Sequence, residues 1–242
     1  MDKTIQRKFN QGCVDYTLLE DGDRILVGVS GGKDSLLLTR LLAERSRIYK
    51  PRIEVEAVHV VMDNVAYDMD TEWIGEYCSQ LGITLHVVHT SFEVRPDSQK
   101  TPCFLCSWNR RKALFSFAAE HSFNKVALGH HQDDILTTWL MNITFEGNAS
   151  ATMRPRLALE HYPITIIRPL CLVPERLLSA YAESHQLVHA KQPCPYETTT
   201  NRSRMQDVLY QLENLGPEVR HSMWRAMGLD GKQQTEKVQT IG

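Results

Sequence analysis

Long apolar runs are absent from this chain. None of its hydrophobic stretches approaches the ~20 residues that a membrane-spanning helix needs. The first eight residues, Met1 to Lys8, also lack the apolar core of a secretory signal. The content of 42% hydrophobic and 23% charged residues is ordinary for a globular protein. We therefore expect a cytoplasmic protein that has no membrane partner.

A strong excess of one charge sign is also absent. The net charge of −2 argues against a uniformly basic nucleic-acid binder. The positive residues are nevertheless clustered at Arg110-Arg111-Lys112, at Arg154 with Arg156, and at Arg202 with Arg204. Such clusters indicate either solvated helix faces or a local surface that binds a polyanion.

The order of strand-like and helix-like runs predicts the fold. Predicted strands cover 24–29, 53–61, 83–89, 125–129 and 164–167, and helices alternate with them at 35–48, 70–81, 104–121, 133–145 and 175–185. This alternation predicts an α/β fold with a doubly wound, parallel, five-stranded sheet. We expect one domain over 1–190, a cysteine-bearing loop and helices of the same unit over 191–229, and a loose tail at 230–242.

Ser30-Gly31-Gly32-Lys33-Asp34-Ser35, here called the 30–35 loop, connects the first predicted strand to the first predicted helix. A helix N-terminus after a glycine turn attracts anions, because its first N–H groups lack partners. Two glycines allow close approach of a phosphate, and the serine hydroxyls and Lys33 add donors. The spacing differs from the common P-loop and from the dinucleotide fingerprint. The alternative is an ordinary turn in which Asp34 caps the helix.

Gly129-His130-His131-Gln132-Asp133-Asp134 follows the fourth predicted strand. Because ligands of such sheets bind beyond the carboxyl ends of the strands, this segment is expected near the 30–35 loop. Asp133 and Asp134 can bind Mg²⁺, which prefers oxygen ligands, and the histidines can bond phosphate or adenine. The alternative is a strand end followed by an aspartate helix cap.

The cysteines divide into two groups. Cys103-Phe104-Leu105-Cys106 is a C-x-x-C pair at a predicted helix start, without the second pair that a zinc ribbon needs. Cys194 stands between two prolines and is the candidate third ligand. Three thiolates suit an iron–sulfur cluster better than a structural zinc site, which takes four ligands. Two merely packed cysteines at 103 and 106 are the alternative. The remaining three are expected in the core: Cys13, Cys78 and Cys171.

Taken in order, these motifs, with Lys125 to Asp134 and Ile167-Arg168-Pro169-Leu170, resemble the TtcA family of tRNA 2-thiocytidine biosynthesis proteins. That family lies in the PP-loop ATP pyrophosphatase superfamily, and the resemblance covers about residues 20–227. It implies a PP-loop fold, ATP with Mg²⁺, and insertion of sulfur at a cytidine of the tRNA anticodon loop. It also implies a 4Fe-4S cluster on Cys103, Cys106 and Cys194.

The resemblance implies roles and partners as well. The base carbonyl oxygen would be adenylated, and sulfur would then displace AMP. The catalytic residues would be Lys33, Asp133 and Asp134, and the nucleotide ligands would be Ser30, Gly31, Gly32, Asp34, Ser35, Gly129 and His130. The cluster of Arg110, Arg111 and Lys112 would contact tRNA phosphates. A cysteine desulfurase or sulfide would donate the sulfur, and the enzyme would be a homodimer.

One segment departs from the family pattern. Many members have Pro-Cys-x-x-Cys at the third cysteine, whereas this chain has Pro193-Cys194-Pro195-Tyr196-Glu197. Two alternatives therefore stay open. The first is a PP-loop ligase or sulfurtransferase that acts on another nucleoside or on a small molecule. The second is a non-catalytic, ATP-binding cluster sensor.

Overall fold

The computed structural model describes residues 2–65, 70–93, 101–150, 152–187 and 201–229. The strands are β1 (Asp23–Gly28), β2 (Ile53–Met62), β3 (Leu85–Thr90), β4 (Lys125–Ala127), β5 (Arg156–Ala158) and β6 (Thr165–Ile167). The helices are α1 (Lys3–Asp15), α2 (Lys33–Ser46), α3 (Thr71–Leu81), α4 (Pro102–Glu120), α5 (Gln132–Glu146), α6 (Glu175–Ser184), α7 (Asn201–Glu213) and α8 (Val219–Ala226).

The strands form one sheet in the order β3-β2-β1-β4-β6-β5. All pairs are parallel except β5 with β6. The chain moves outward on one side of β1 and then returns to the other side at β4. The space between β1 and β4 is therefore the switch point, where ligands of such sheets bind.

The two faces of the sheet are buried separately. Along β1, Ile25 and Val27 join the core that contains α2, whereas Leu26 joins the core that contains Leu114 and Phe115 of α4. This alternation follows from the period-two geometry of a strand. Because both faces carry apolar side chains and are covered by helices, the sheet is doubly wound, which confirms the predicted fold class.

The predicted number of strands was wrong by one. The sheet has six strands rather than five in the described part of the chain, because β5 pairs antiparallel with β6 at its edge. β5 is only three residues long, and only Leu157 is buried. A single apolar residue gives no period-two pattern, so its pairing partner rather than its own sequence identifies it. The other predicted elements agree with the structure within two residues at each end.

The C-terminal helices pack against the sheet domain. α7 and α8 both contact α5. The indole of Trp224 in α8 donates to the hydroxyl of Tyr16 at 2.8 Å and to the carbonyl of Leu229 at 2.9 Å. The predicted tail at 230–242 lies outside the described residues. Across the described ranges, no helix has both the length and the apolar character needed to cross a membrane.

Candidate active site

The 30–35 loop leads directly into α2, and its last three residues form the start of that helix. Gly31 has φ +76°, a conformation that side chains other than glycine rarely adopt. Gly32 is the N-cap of α2 and contributes no side-chain cap, so capping by Asp34 is not observed. The hydroxyl of Ser35 accepts from the Ser30 N–H at 3.1 Å and donates to the Gly32 carbonyl at 2.9 Å. Because the first N–H groups of a helix have no partner within the helix, this ordered loop has the donors that a phosphate site requires.

Lys33 lies between two carboxylates. Its Nζ is 3.3 Å from Oδ2 of Asp34 and 3.3 Å from Oε1 of Glu175 on α6. Burial opposes the charge, but the two carboxylates outweigh it and raise the pKa of Lys33. Burial also raises the pKa of Asp34, despite the neighbouring Lys33. Among the described residues, Oδ1 of Asp34 is buried and has no hydrogen-bond partner.

Gly129 brings the second motif against the first. A Cβ at this position would lie 3.0 Å from the Ser35 nitrogen and 3.1 Å from the Asp34 carbonyl carbon, so only glycine fits the approach. Two residues later, His131 is the N-cap of α5, and Asp134 completes a capping box with it. The cap is thus the histidine and not an aspartate.

Asp133 and Asp134 are both bonded to arginines. Both oxygens of Asp133 accept from Arg220 on α8, at 2.6 and 3.0 Å, and Oδ2 also accepts from the Glu175 N–H at 2.8 Å. Burial opposes ionisation, but these bonds outweigh it and lower the pKa of Asp133. Asp134 is paired with Arg202 of α7 and accepts from the His131 N–H. Mg²⁺ at Asp133 would have to displace Arg220, and the catalytic roles of both aspartates stay predictions.

A cavity of about 500 Å³ opens beside the 30–35 loop, over the carboxyl ends of β1, β2, β4 and β6. It is bounded by the loop on one side and by α4 on the other. Its polar lining includes Ser30, His59, Ser107, Arg110, His130 and Arg168. The residues that sequence analysis placed at separate strand ends therefore meet around one volume.

Arg168 is the buried cation of this cavity, with 7% of its surface exposed. Its Nε donates to Nδ1 of His130 at 3.3 Å, and its Nη1 donates to the Arg154 carbonyl. Burial lowers the pKa of Arg168 to about 10, which leaves the guanidinium charged at neutral pH. In the described ranges it makes no ion pair with a carboxylate. A buried cation in that state is suited to an anionic ligand.

Two histidines of the cavity are held neutral. Because Arg168 can only donate, Nδ1 of His130 accepts and its hydrogen is on Nε2. Burial and Arg168 lower the pKa of His130 to about 3. Nδ1 of His59 lies 2.7 Å from the Val29 carbonyl, which can only accept, so Nε2 of His59 is the acceptor. Burial also lowers the pKa of His59.

The sequence motifs did not indicate that His59, Arg168 and Glu175 belong to the site. His59 lies inside an apolar strand and resembles a core histidine. Glu175 looks like a favourable acid in a first helical turn. Arg168, in contrast, carries a usable signal: it directly follows a strand, as the 30–35 loop and His130 nearly do.

Cys103 and Cys106 lie near the start of α4, one helical turn apart, after the N-cap Thr101. Cys106 packs against Met62, Val65 and Phe92, which lie at and beyond the carboxyl ends of β2 and β3. The next residue, Ser107, lines the cavity. The pair thus lies at the same edge of the sheet as the 30–35 loop.

The thiols of Cys103 and Cys106 are the candidate metal ligands among the described residues. Two thiols one helical turn apart are soft ligands that fit an iron–sulfur cluster. The predicted third ligand, Cys194, lies outside the described residues, and within those residues no group of three candidate ligands is assembled. The other cysteines are buried: Cys13, Cys78 and Cys171. Burial raises the pKa of Cys13 to about 12 and that of Cys78 to about 11, as expected for core thiols.

Comparison with known proteins agrees with this geometry. Residues 1–213 match the family model described as a PP-loop domain. A tRNA-cytidine(32) 2-sulfurtransferase of Geobacter sulfurreducens is 34% identical over 234 residues, which cover 93% of this chain and 89% of the relative. The protein of the same name from Pseudomonas putida (strain W619) is 31% identical over 233 residues, covering 94% and 84%.

A solved structure is also similar. The U34-tRNA thiolase NcsA from Methanococcus maripaludis, solved with its 4Fe-4S cluster, has a TM-score of 0.76 and 27% identity. The match covers 93% of this chain and 77% of the thiolase. The family model and the curated relatives span most of the chain and include the site described above. The chain therefore belongs to the PP-loop family and, within it, to the TtcA group of tRNA-cytidine(32) 2-sulfurtransferases.

Proposed function

We propose that this protein is an ATP-dependent enzyme that converts a cytidine of the tRNA anticodon loop to 2-thiocytidine. One observation carries the proposal: Ser30 of the 30–35 loop and Ser107, the neighbour of Cys106, line the same cavity. Nucleotide activation and sulfur delivery therefore fit at one place. Relatives named for this reaction support the substrate class.

The 30–35 loop would bind the phosphates of ATP. The first N–H groups of α2 and the hydroxyl of Ser30 would donate to phosphate oxygens, with Lys33 as the mobile cation. The hydroxyl of Ser35 would join them once it releases the Gly32 carbonyl. Asp34 fits Mg²⁺ best, since its buried Oδ1 has no partner among the described residues. Gly129 and His130 would complete the nucleotide site from the β4–α5 side.

The reaction takes two displacements. First, the C2 carbonyl oxygen of the base attacks the α-phosphorus, an O–P bond forms, and the bond to the leaving pyrophosphate breaks. Then sulfide attacks C2, a C–S bond forms, the C–O bond breaks, and AMP leaves. Arg168 would stabilise the charge that develops on the α-phosphate, because it is fixed and buried before the reaction starts. His130 would donate through Nε2–H without adding a charge of its own.

Cys103, Cys106 and Cys194 would hold a 4Fe-4S cluster. A bound cluster with three protein ligands would supply an iron that has no protein ligand, where the incoming sulfur can be held. Asp133 and Asp134 would act on the reaction by positioning: the contacts of Asp133 with Arg220 and Glu175 connect α8 to the carboxylate that holds Lys33. We also propose a cytoplasmic homodimer that receives sulfur from a cysteine desulfurase or from sulfide.

The test is an anaerobic assay with tRNA, ATP, Mg²⁺ and sulfide. The expected products are 2-thiocytidine in the digested tRNA, AMP and pyrophosphate. Cys106→Ala should lose iron, acid-labile sulfide and product together, whereas the matched core variant Cys13→Ala should keep all three. Zinc without iron in the wild type, or AMP formation that needs no RNA, would overturn the proposal.

A further inference from the structure

A second groove, of about 450 Å³, lies along α4 beside the edge strand β5. Trp108, Arg111, Lys112 and Phe115 of α4 form one wall, and the β5–β6 turn with His161 and Tyr162 forms the other. Its volume lies in the range of small-ligand sites. The reaction steps proposed above do not use this groove, although Arg111 and Lys112 belong to the basic cluster that is expected to contact tRNA phosphates.

The groove adjoins the cavity of the candidate active site. Arg111 and Phe115 line both volumes. Phe115 is buried between them, and its ring contacts that of Tyr162 at 5.9 Å between centroids. The two volumes are therefore neighbours along α4, as two adjacent groups of one ligand require.

The groove also has an exposed aromatic wall beside positive charge. Trp108 is 39% exposed, although a tryptophan usually buries most of its large ring. Nζ of Lys112 lies 5.4 Å from the centroid of that ring, a cation–π distance. Nε of Arg111 is held by the Ser107 carbonyl at 3.2 Å, so the guanidinium has a fixed place between the two volumes.

We infer that this groove binds one nucleotide of the single-stranded anticodon loop, next to the target cytidine, with its base stacked on Trp108. The inference rests on the proposed function. Aromatic rings interleaved with cations are the usual platform for single-stranded nucleic acid, because every base has a stacking face and every nucleotide has a phosphate. Arg111 and Lys112 would take the phosphates, and Glu160 at the far end could accept from a base N–H.

Separating neighbouring nucleotides into two volumes also has a chemical purpose. A target base must leave the stacked loop before C2 can reach the nucleotide site. A tryptophan that takes over the stacking of the neighbouring base replaces part of the stacking lost when the loop opens. The groove thus contributes to binding of the RNA rather than to either displacement step.

The test measures binding of a fluorescein-labelled anticodon stem–loop to the cluster-loaded protein. Trp108→Ala should weaken Kd about tenfold, in line with the loss of one stacked base. Trp108→Tyr, which keeps a ring, should restore most of the affinity, and the melting temperature should show that both variants fold. Tyr49→Ala is the matched control, because Tyr49 is 76% exposed and lies just beyond the C-terminal end of α2.

A second measurement locates the base. When loop nucleotides are replaced one at a time by abasic residues, one position beside the target should abolish the difference between wild type and Trp108→Ala. Separately, Lys112→Gln should reduce the slope of log K against log salt by about 0.7, the value for one single-strand phosphate contact.

The outcomes separate this inference from the proposed function. If the wild type neither binds nor thiolates RNA, the proposed function fails first. If the wild type thiolates tRNA and Trp108→Ala binds like Tyr49→Ala, the stacking inference is wrong and the function stands. If Trp108→Ala keeps RNA affinity but loses turnover only with a protein sulfur donor, the groove docks that protein instead, which also overturns the inference.

Discussion

Lys125 and Arg168 are both buried cations, and they lie at opposite ends of the strands: Lys125 at the amino ends and Arg168 at the carboxyl ends. Lys125 begins β4 and is 2% exposed; its Nζ contacts Oδ2 of Asp23 at 2.7 Å, Oε2 of Glu20 at 2.8 Å and the Leu18 carbonyl at 3.0 Å. Arg168 follows β6 and, in the described part of the chain, has a carbonyl and a neutral histidine as its partners.

The difference between the partners of these two cations distinguishes a structural residue from a candidate functional one. A buried charge costs several kcal/mol unless the protein compensates it. At the amino ends of the strands, the carboxylates of Glu20 and Asp23 compensate the charge of Lys125 within the fold itself, so we assign this lysine a structural role. At the carboxyl ends of the strands, the described residues place no carboxylate in an ion pair with Arg168, and an open cavity lies beside it. The lack of an ion pair among the described residues agrees with the proposed role of Arg168 beside a substrate phosphate.

The first prediction concerns the ion pair of Lys125 with Asp23 at the amino ends of the strands. Lys125→Met should lower the free energy of unfolding by about 3–5 kcal/mol, because Asp23 would stay buried without its cation. Urea denaturation checks this value. The fraction that folds should thiolate tRNA at the wild-type rate, and a specific loss of turnover would contradict the structural role.

The second prediction concerns Arg168 at the carboxyl ends of the strands. Arg168→Met should reduce the rate of thiolation by about 10²–10³-fold, the usual loss when one preorganised charge-stabilising group is removed. The free energy of unfolding should change by no more than about 1.5 kcal/mol, since two modest hydrogen bonds are lost while an uncompensated charge is relieved. Single-turnover AMP formation and urea denaturation are the measurements. If Arg168→Met lost as much stability as Lys125→Met, the two cations would not differ in their structural role.

The third prediction compares the two glycines of the 30–35 loop. Gly31→Val should cost about 1–2 kcal/mol of stability, because its φ of +76° is strained for a side chain. Gly32→Val should cost less, since Gly32 has φ −78° and its nearest neighbour would be the Ser30 hydroxyl at 3.5 Å. It should nevertheless abolish ATP-dependent turnover by blocking the approach of phosphate. Wild-type turnover in folded Gly32→Val would contradict the phosphate role.

The smallest expected effect concerns His130 and pH. Its pKa of about 3 lies below the ordinary value of 6.5, so below pH 6.5 the unfolded chain takes up a proton that the folded chain refuses. Stability should therefore fall on acidification, by about 1 kcal/mol between pH 6.5 and 5.5. His130→Asn should show a shallower fall by that amount in urea titrations at the two pH values. Equal slopes would mean that the pKa of His130 is the same in the native and unfolded states.

Most of the fold could be predicted because its signals are local. The alternation of apolar runs identifies the parallel strands and their helices, and the glycine turn at 30–35 lies where a strand meets a helix. β5 was missed because only one of its residues, Leu157, is buried. The candidate site was only partly predictable. Its loops were found from strand ends, whereas His59 and Glu175 look like ordinary core and helix residues until their neighbours are known.

The sequence alone determined the kind of chemistry: a phosphate loop at a strand end, a C-x-x-C at a helix start, and the membership of a family. These depend on residues within a few positions of one another, where backbone propensity and spacing decide. Only the tertiary structure decided which charges are compensated. Asp133 finds Arg220 at 87 residues' separation, and Lys33 finds Glu175 at 142. Pairings over such distances depend on how the helices pack, and so does the absence of a carboxylate partner for Arg168 among the described residues.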